Sequence, residues 1–211
     1  MTPQRHAGEL ARAAARLAEI DPRMARLVAA HGPCGLTPYW KRSPYESLVR
    51  AVMFQQLHGT AAKAILGRFM ALYPASPFPT PDEVLAADEA TLRGVGLSRQ
   101  KSSYIQAIAA GARDGVVPVR RGDLSRLSDA TIIERLTSIK GVGRWTVEMM
   151  LIFTLGRLDV LPVGDFGVRS GFDRMARRRA PVTPKQLAEH GERWAPYRSV
   201  AAWYLWRAAD G

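Results

Sequence analysis

The sequence predicts an all-α fold, and three observations carry the prediction. Helix-start signatures recur along the chain, apolar residues behind them return every three to five positions, and alternating apolar–polar strands are all but missing. Only Val116-Val117-Pro118-Val119 reads as extended. Roughly eight to ten helices joined by short Pro/Gly turns are expected.

Ser43-Pro44-Tyr45-Glu46, Thr80-Pro81-Asp82-Glu83 and Thr183-Pro184-Lys185-Gln186 each set a hydroxyl at the N-cap, proline at N1 and Glu or Gln at N3. Each therefore predicts a capping box. Behind the first, Leu48, Val52 and Leu57, with Val49 and Met53, gather on one face of YESLVRAVMFQQL. LRGVGLSRQKSSYI (92–105) and SIKGVGRWTVEMML (138–151) both read as helix, Gly-Val-Gly, helix. Their glycine pairs start at 94 and 141, 47 residues apart, which suits two helical hairpins better than a solenoid. WTVEMMLIFTL (145–155) is apolar nearly all round, with Glu148 its only charge, and predicts a helix buried on most sides. In RLDVLPVGDFGVRSGF, Pro162 and Gly164 break the chain and Asp165 stands where the next helix begins, as an N-cap does. Arg177-Arg178-Arg179 ends that helix, either complementing its dipole or attracting phosphate.

Composition narrows the function. The 211 residues suit one large domain or two subdomains, and 47% hydrophobic residues with five Trp are enough for a sizeable core. Lys and Arg outnumber Asp and Glu by 30 to 19, a formal charge of +11, which favours polyanionic partners. A single cysteine, Cys34, excludes a disulfide framework, a CxxC zinc site and a four-cysteine iron–sulfur cluster within the chain. The four histidines are scattered without metal-ligand spacing, and no apolar run approaches membrane-spanning length. MTPQRHAGELARAAARLAEI lacks the apolar core of a signal peptide, and Glu9 and Glu19 oppose a transit peptide. A cytoplasmic setting is expected.

GVGRW (141–145) invites a dinucleotide reading, which fails because Thr146 occupies the third glycine position and a helical segment precedes it. Two helices joined by a tight glycine turn instead expose successive N–H groups that suit a phosphate. A C-cap glycine followed by a helix restart explains the same residues.

Taken together, L-x-x-I-x-G-V-G-R-W, the Gly/Pro-rich loop and the aspartate some twenty residues on resemble the helix-hairpin-helix DNA glycosylases. Within them the chain is most similar to the alkylated-base branch, the 3-methyladenine DNA glycosylase II type. The resemblance starts at SPYESLVRAVMFQQLHGTAAKAI, passes through LPVGDFGVRSGF and reaches ERWAPYRSVAAWYLWR, roughly four-fifths of the chain. It implies two helical subdomains with a DNA-binding cleft between them. One would span about 43–160, with the hairpin at 132–155, and the other 1–42 plus 161–211. The N-terminal β-sheet domain of larger members is expected to be missing.

The resemblance also implies roles. Asp165 matches the catalytic aspartate, whose carboxylate stabilises oxocarbenium character on the deoxyribose and helps place the attacking water. Trp145 stands where strand-cutting relatives carry a Schiff-base lysine, so water is the expected nucleophile and no lyase step is expected. Its ring would stack on the flipped base and attract a cationic purine. Trp206 and Phe166 would join it at the pocket, as would Met149, which replaces a commonly aromatic residue; Trp194 and Trp203 would pack. Gln56 would fill the hole left by the extruded nucleotide and His58 would approach the minor groove. Gly141, Gly143, Arg144 and Thr146 would grip the DNA backbone. The carbonyls of Thr137, Ile139 and Val142 would hold an alkali-metal ion; no other cofactor is implied.

The function expected is a monofunctional DNA glycosylase that flips N-alkylated bases, of the 3-methyladenine and 7-methylguanine type, and hydrolyses their bond to deoxyribose. Damaged duplex DNA would be its partner, with no membrane and no second subunit. A non-catalytic module for distorted DNA and a bifunctional glycosylase/lyase are the alternatives; Asp165 with its aromatics opposes the first, and Trp145 the second.

Overall fold

The computed structural model describes residues 3–56 and 59–210, and none of them is in a strand. Val116–Val119 forms bends, with the Val117 N–H on Gly111 O (2.9 Å) and Pro118 O accepting from Tyr45 N (3.2 Å). The chain divides into two compact units, Lys41–Met150 (central) and Met1–Trp40 with Leu151–Gly211 (terminal). The terminal unit begins with α1 (Pro3–Ile20) and α2 (Pro22–His31). The central unit holds α3 (Pro44–Phe54), α4 (Gly59–Ala71), α5 (Pro81–Ala86), α6 (Glu89–Gly94), α7 (Arg99–Arg113), α8 (Asp129–Thr137) and α9 (Arg144–Met150). The chain then returns to the terminal unit with α10 (Phe166–Ala176), α11 (Pro184–Gly191) and α12 (Arg198–Asp210). No helix among the described residues is long and apolar enough to cross a membrane.

Among the described residues the helices outnumber the eight to ten expected, because short ones such as α5 and α6 are separate elements. In α6, of six residues, the start comes from Asp88, whose Oδ1 accepts from Thr91 N at 2.7 Å. The three capping signatures also differ among themselves. Thr80 with Glu83 and Thr183 with Gln186 form reciprocal boxes. Ser43 accepts from Glu46 N, but the Glu46 carboxylate turns to Arg50 at 2.7 Å and faces Arg42 at 3.8 Å. A cationic donor four residues on outcompetes a neutral backbone N–H for that carboxylate.

In the central unit Leu48, Val49, Val52 and Met53 are fully buried on α3, which packs on α7 and α9. Each such side chain contributes about 1.5–3 kcal/mol of burial. In the terminal unit α10 lies directly on α12 at Gly171. A methyl there would sit 2.6 Å from the Leu205 carbonyl carbon and 3.0 Å from its Cα. Glycine is what permits this approach of two backbones. Beside it, buried Asp21 caps α2 through Arg23 N and accepts from Trp194 Nε1 at 3.1 Å, with His190 Nε2 at 3.4 Å. Trp194 is fully buried, as expected of a packing residue.

The segment 145–155 is not one regular helix. α9 ends at Met150, and Leu151–Leu155 is π-helical. The widened turn lets carbonyls accept from outside: Phe153 O from Tyr39 N (2.7 Å) and Leu151 O from Arg157 N (2.9 Å). Thr146, Val147, Glu148, Met150, Leu151, Ile152 and Thr154 are buried as expected, but Trp145, in the first turn, is 47% exposed.

Candidate functional site

In the terminal unit the chemistry gathers at the start of α10. Asp165 is the N-cap, and its Oδ1 accepts from Val168 N at 2.8 Å. The same oxygen accepts from Trp206 Nε1, on α12, at 2.9 Å. The half-buried carboxylate is thus fixed by one main-chain donor and one indole at the positive end of a helix. Trp206 stacks at a tilt of 30° on Phe153 of the π turn, with ring centroids 5.7 Å apart. The structure therefore brings Asp165 and Trp206 together. Phe166, one residue on, is 79% exposed and takes no part in that contact.

What holds this arrangement was not read from the sequence. Arg198, first residue of α12, grips Asp159 with Nε and Nη2, each 2.7 Å from a carboxylate oxygen. Ser199 Oγ donates to Arg157 O (2.8 Å) and accepts from Val160 N (2.9 Å), while Ser199 N bonds Leu158 O (2.9 Å). The loop before Asp165 is stitched to the helix that carries Trp206. The partners lie about forty positions apart, and no local signal pairs them. Of the arginine run beyond α10, Arg177 is the left-handed C-cap (φ 51°) and Arg178 turns back to Asp173 at 3.3 Å.

In the central unit the hairpin joins α8 to α9. Val142 N bonds Ile139 O at 3.0 Å, closing the turn. Gly141 has φ 87°, and a Cβ would fall 2.6 Å from Tyr104 Cδ1, so both conformation and packing demand glycine. Gly143 differs: a Cβ there would meet nothing within 4 Å. Packing does not ask for glycine at 143. Arg144 is exposed and its Nε lies 2.8 Å from buried Glu148, while Thr146 is buried and has only its first-turn N–H to offer. Met149 is half-buried. Lys140 donates to Ser103 Oγ at 3.2 Å.

Thr137 to Gly143 line a cavity of about 640 Å³ together with Gln55, Gln56, Lys101 and Tyr104. Gln56 is exposed and left-handed (φ 55°) just beyond α3. His58 lies outside the described residues. Thr137, Ile139 and Val142 are among the residues that line this cavity, and the Ile139 carbonyl accepts from Val142 N within the turn. Among the described residues no cluster of three or more His, Cys, Asp and Glu side chains offers a metal site.

The chain is 44% identical over 169 residues to DNA-3-methyladenine glycosylase 1 of Schizosaccharomyces pombe, covering 80% of this chain and 74% of the relative. It is 35% identical to an alkylbase DNA glycosidase-like protein of the same yeast, covering 93% and 92%. A solved S. pombe 3-methyladenine DNA glycosylase in complex with abasic DNA superposes with a TM-score of 0.83 at 41% identity, covering 93% and 95%. Residues 49–196 match the HhH-GPD superfamily base excision DNA repair protein family, and the chain belongs to that superfamily.

Proposed function

We propose that this protein is a monofunctional DNA glycosylase that removes N-alkylated purines of the 3-methyladenine and 7-methylguanine type from duplex DNA. The observation that carries the reading is Asp165, held by Val168 N and Trp206 Nε1 at a helix start. A structural cap needs no indole. The +11 charge and the names of the relatives support DNA as the partner.

In this reading the target nucleotide leaves the stack and Gln56 fills the gap it leaves. Trp145 supplies an exposed aromatic face for the flipped base, with Trp206, Phe166 and Met149 shaping what fits. The N-glycosidic bond breaks as positive charge grows on the sugar, which the Asp165 carboxylate stabilises. A cationic methylpurine departs as a neutral base; water adds its hydroxyl to C1′ and releases a proton to solvent. Gly141, Gly143, Arg144 and the Thr146 N–H contact phosphates, with His58 toward the minor groove. The Thr137, Ile139 and Val142 carbonyls would hold an alkali ion whose charge attracts a phosphate. In this reading the protein acts as a monomer in the cytoplasm, associated with DNA.

Methylated duplex DNA tests this. Free methylpurine should appear with the strands intact until alkali is added, and borohydride should trap no covalent complex. Trapping would establish a lyase; duplex binding without release would establish a binding module.

A further inference from the structure

Lys101, in the first turn of α7, has no place in the chemistry above, yet its contacts are specific. Its Nζ donates to Met53 O at 2.9 Å and to Gln55 O at 2.7 Å, 48 and 46 residues back along the chain. Those carbonyls belong to the end of α3, where helix carbonyls lack intrahelical donors. Gln55 is the C-cap, and the next residue is the left-handed, exposed Gln56. A non-glycine residue at φ 55° is held there only if its surroundings fix the turn. Three residues on from Lys101, and so on the same face of α7, Tyr104 lies under Gly141 of the hairpin. One helix face thus carries two supports: the ammonium under the Gln56 turn and the phenol ring under the hairpin turn. Both residues line the same cavity as the two turns.

We infer that Lys101 is a positioning residue that fixes the Gln56 turn at a set distance from the hairpin, so that the plug enters the duplex where the hairpin holds the backbone. Burial lowers the Lys101 pKa from its usual value, so its charge is kept at some cost, and two carbonyl acceptors compensate. A lysine placed merely for solubility would extend into water. The inference rests on the glycosylase reading, since it gives Gln56 its task.

The test uses the full chain and duplexes with one 7-methylguanine, opposite either cytosine or an abasic-site analogue. Opposite the abasic analogue no partner base resists extrusion, so the plug matters less. A 2-aminopurine beside the lesion reports extrusion independently of hydrolysis. Lys101→Met should slow extrusion and release about tenfold or more opposite cytosine, at least the scale of one net hydrogen bond lost, and by less than about threefold opposite the abasic analogue. Gln56→Gly, compatible with φ 55°, should behave alike, and the double variant should lose no more than either single one. Should Lys101→Met not fold, Lys101→Arg decides in its place: cationic donors are kept, and extrusion opposite cytosine should stay within about threefold of wild type. Equal losses on both duplexes, no loss on either, multiplying effects in the double variant, or an arginine variant losing as much as tenfold would overturn the inference. A wild type that extrudes the lesion but frees no base would instead refute the glycosylase reading and leave the extrusion comparison valid.

Discussion

Gly171→Ala puts the packing of the terminal unit to a quantitative test. The added methyl would press hardest on the Leu205 carbonyl oxygen and stand 2.6 Å from the carbonyl carbon, where ordinary contact begins at 3.4 Å, a shortfall of at least 0.8 Å. The obstacle is helix backbone, which cannot rotate aside as a side chain does, so α10 and α12 must part. Overpacking of this kind costs about 1–3 kcal/mol, and a rigid neighbour places it near the upper end. For a chain of this length, about 3 kcal/mol lowers Tm by roughly 6–12 °C. Trp206 follows Leu205 directly. An outward shift of 0.8 Å is enough to carry its indole from 2.9 Å past the hydrogen-bonding range of Asp165. Thermal unfolding by circular dichroism and single-turnover base release on the same sample read both effects. Gly67→Ala, on an exposed turn of α4 with nothing within 4 Å of its Cβ, is the control and should raise Tm by a few degrees, roughly the gain of about 1 kcal/mol. A Gly171→Ala protein that melts within about 2 °C of wild type would refute the argument.

Two other outcomes are expected. Gly143→Ala should melt within about 2 °C of wild type yet bind abasic duplex roughly fivefold more weakly, the scale of one lost backbone–phosphate hydrogen bond, whereas Gly141→Ala should lose both stability and binding. Stability should fall as pH drops below 6.5, because His6 and His190 are both held below that value in the fold, His6 by burial and His190 by burial and the charge of Arg193. A depressed histidine favours the folded state while neutral, and that contribution is lost as pH falls through its folded pKa. Asp21 behaves alike at lower pH: burial would raise it, but bonds from Arg23 N, Trp194 and His190, with the charge of His190, hold it below 3.8. Melting curves from pH 8 to pH 5 check the histidines, and a flat profile in His190→Gln and wild type alike would contradict their assignment.

The legible parts of the fold were those written in local chemistry. Thr80-Pro81 and Thr183-Pro184 announce helix starts because a cap and its box lie within four residues. Asp165 was readable as an N-cap for the same reason. The π turn at Leu151–Leu155 was not, since an apolar run has the same pattern whether its bonds reach four residues back or five. Nor did the sequence separate Gly141 from Gly143. Only the position of Tyr104 assigns one to packing and leaves the other without a packing reason. Lys101, Asp159, Arg198 and Ser199 stayed invisible because each acts on a partner about forty or more residues away.

Asp165 carries the central claim, and Asp165→Asn tests it most directly. The variant keeps a side-chain oxygen for Val168 N and Trp206 Nε1, so fold and DNA affinity should persist. Single-turnover release of methylpurine should fall by at least about a hundredfold, the scale of a lost transition-state charge interaction, while binding to abasic duplex stays within a few-fold of wild type. An asparagine variant that releases base at the wild-type rate would contradict the account.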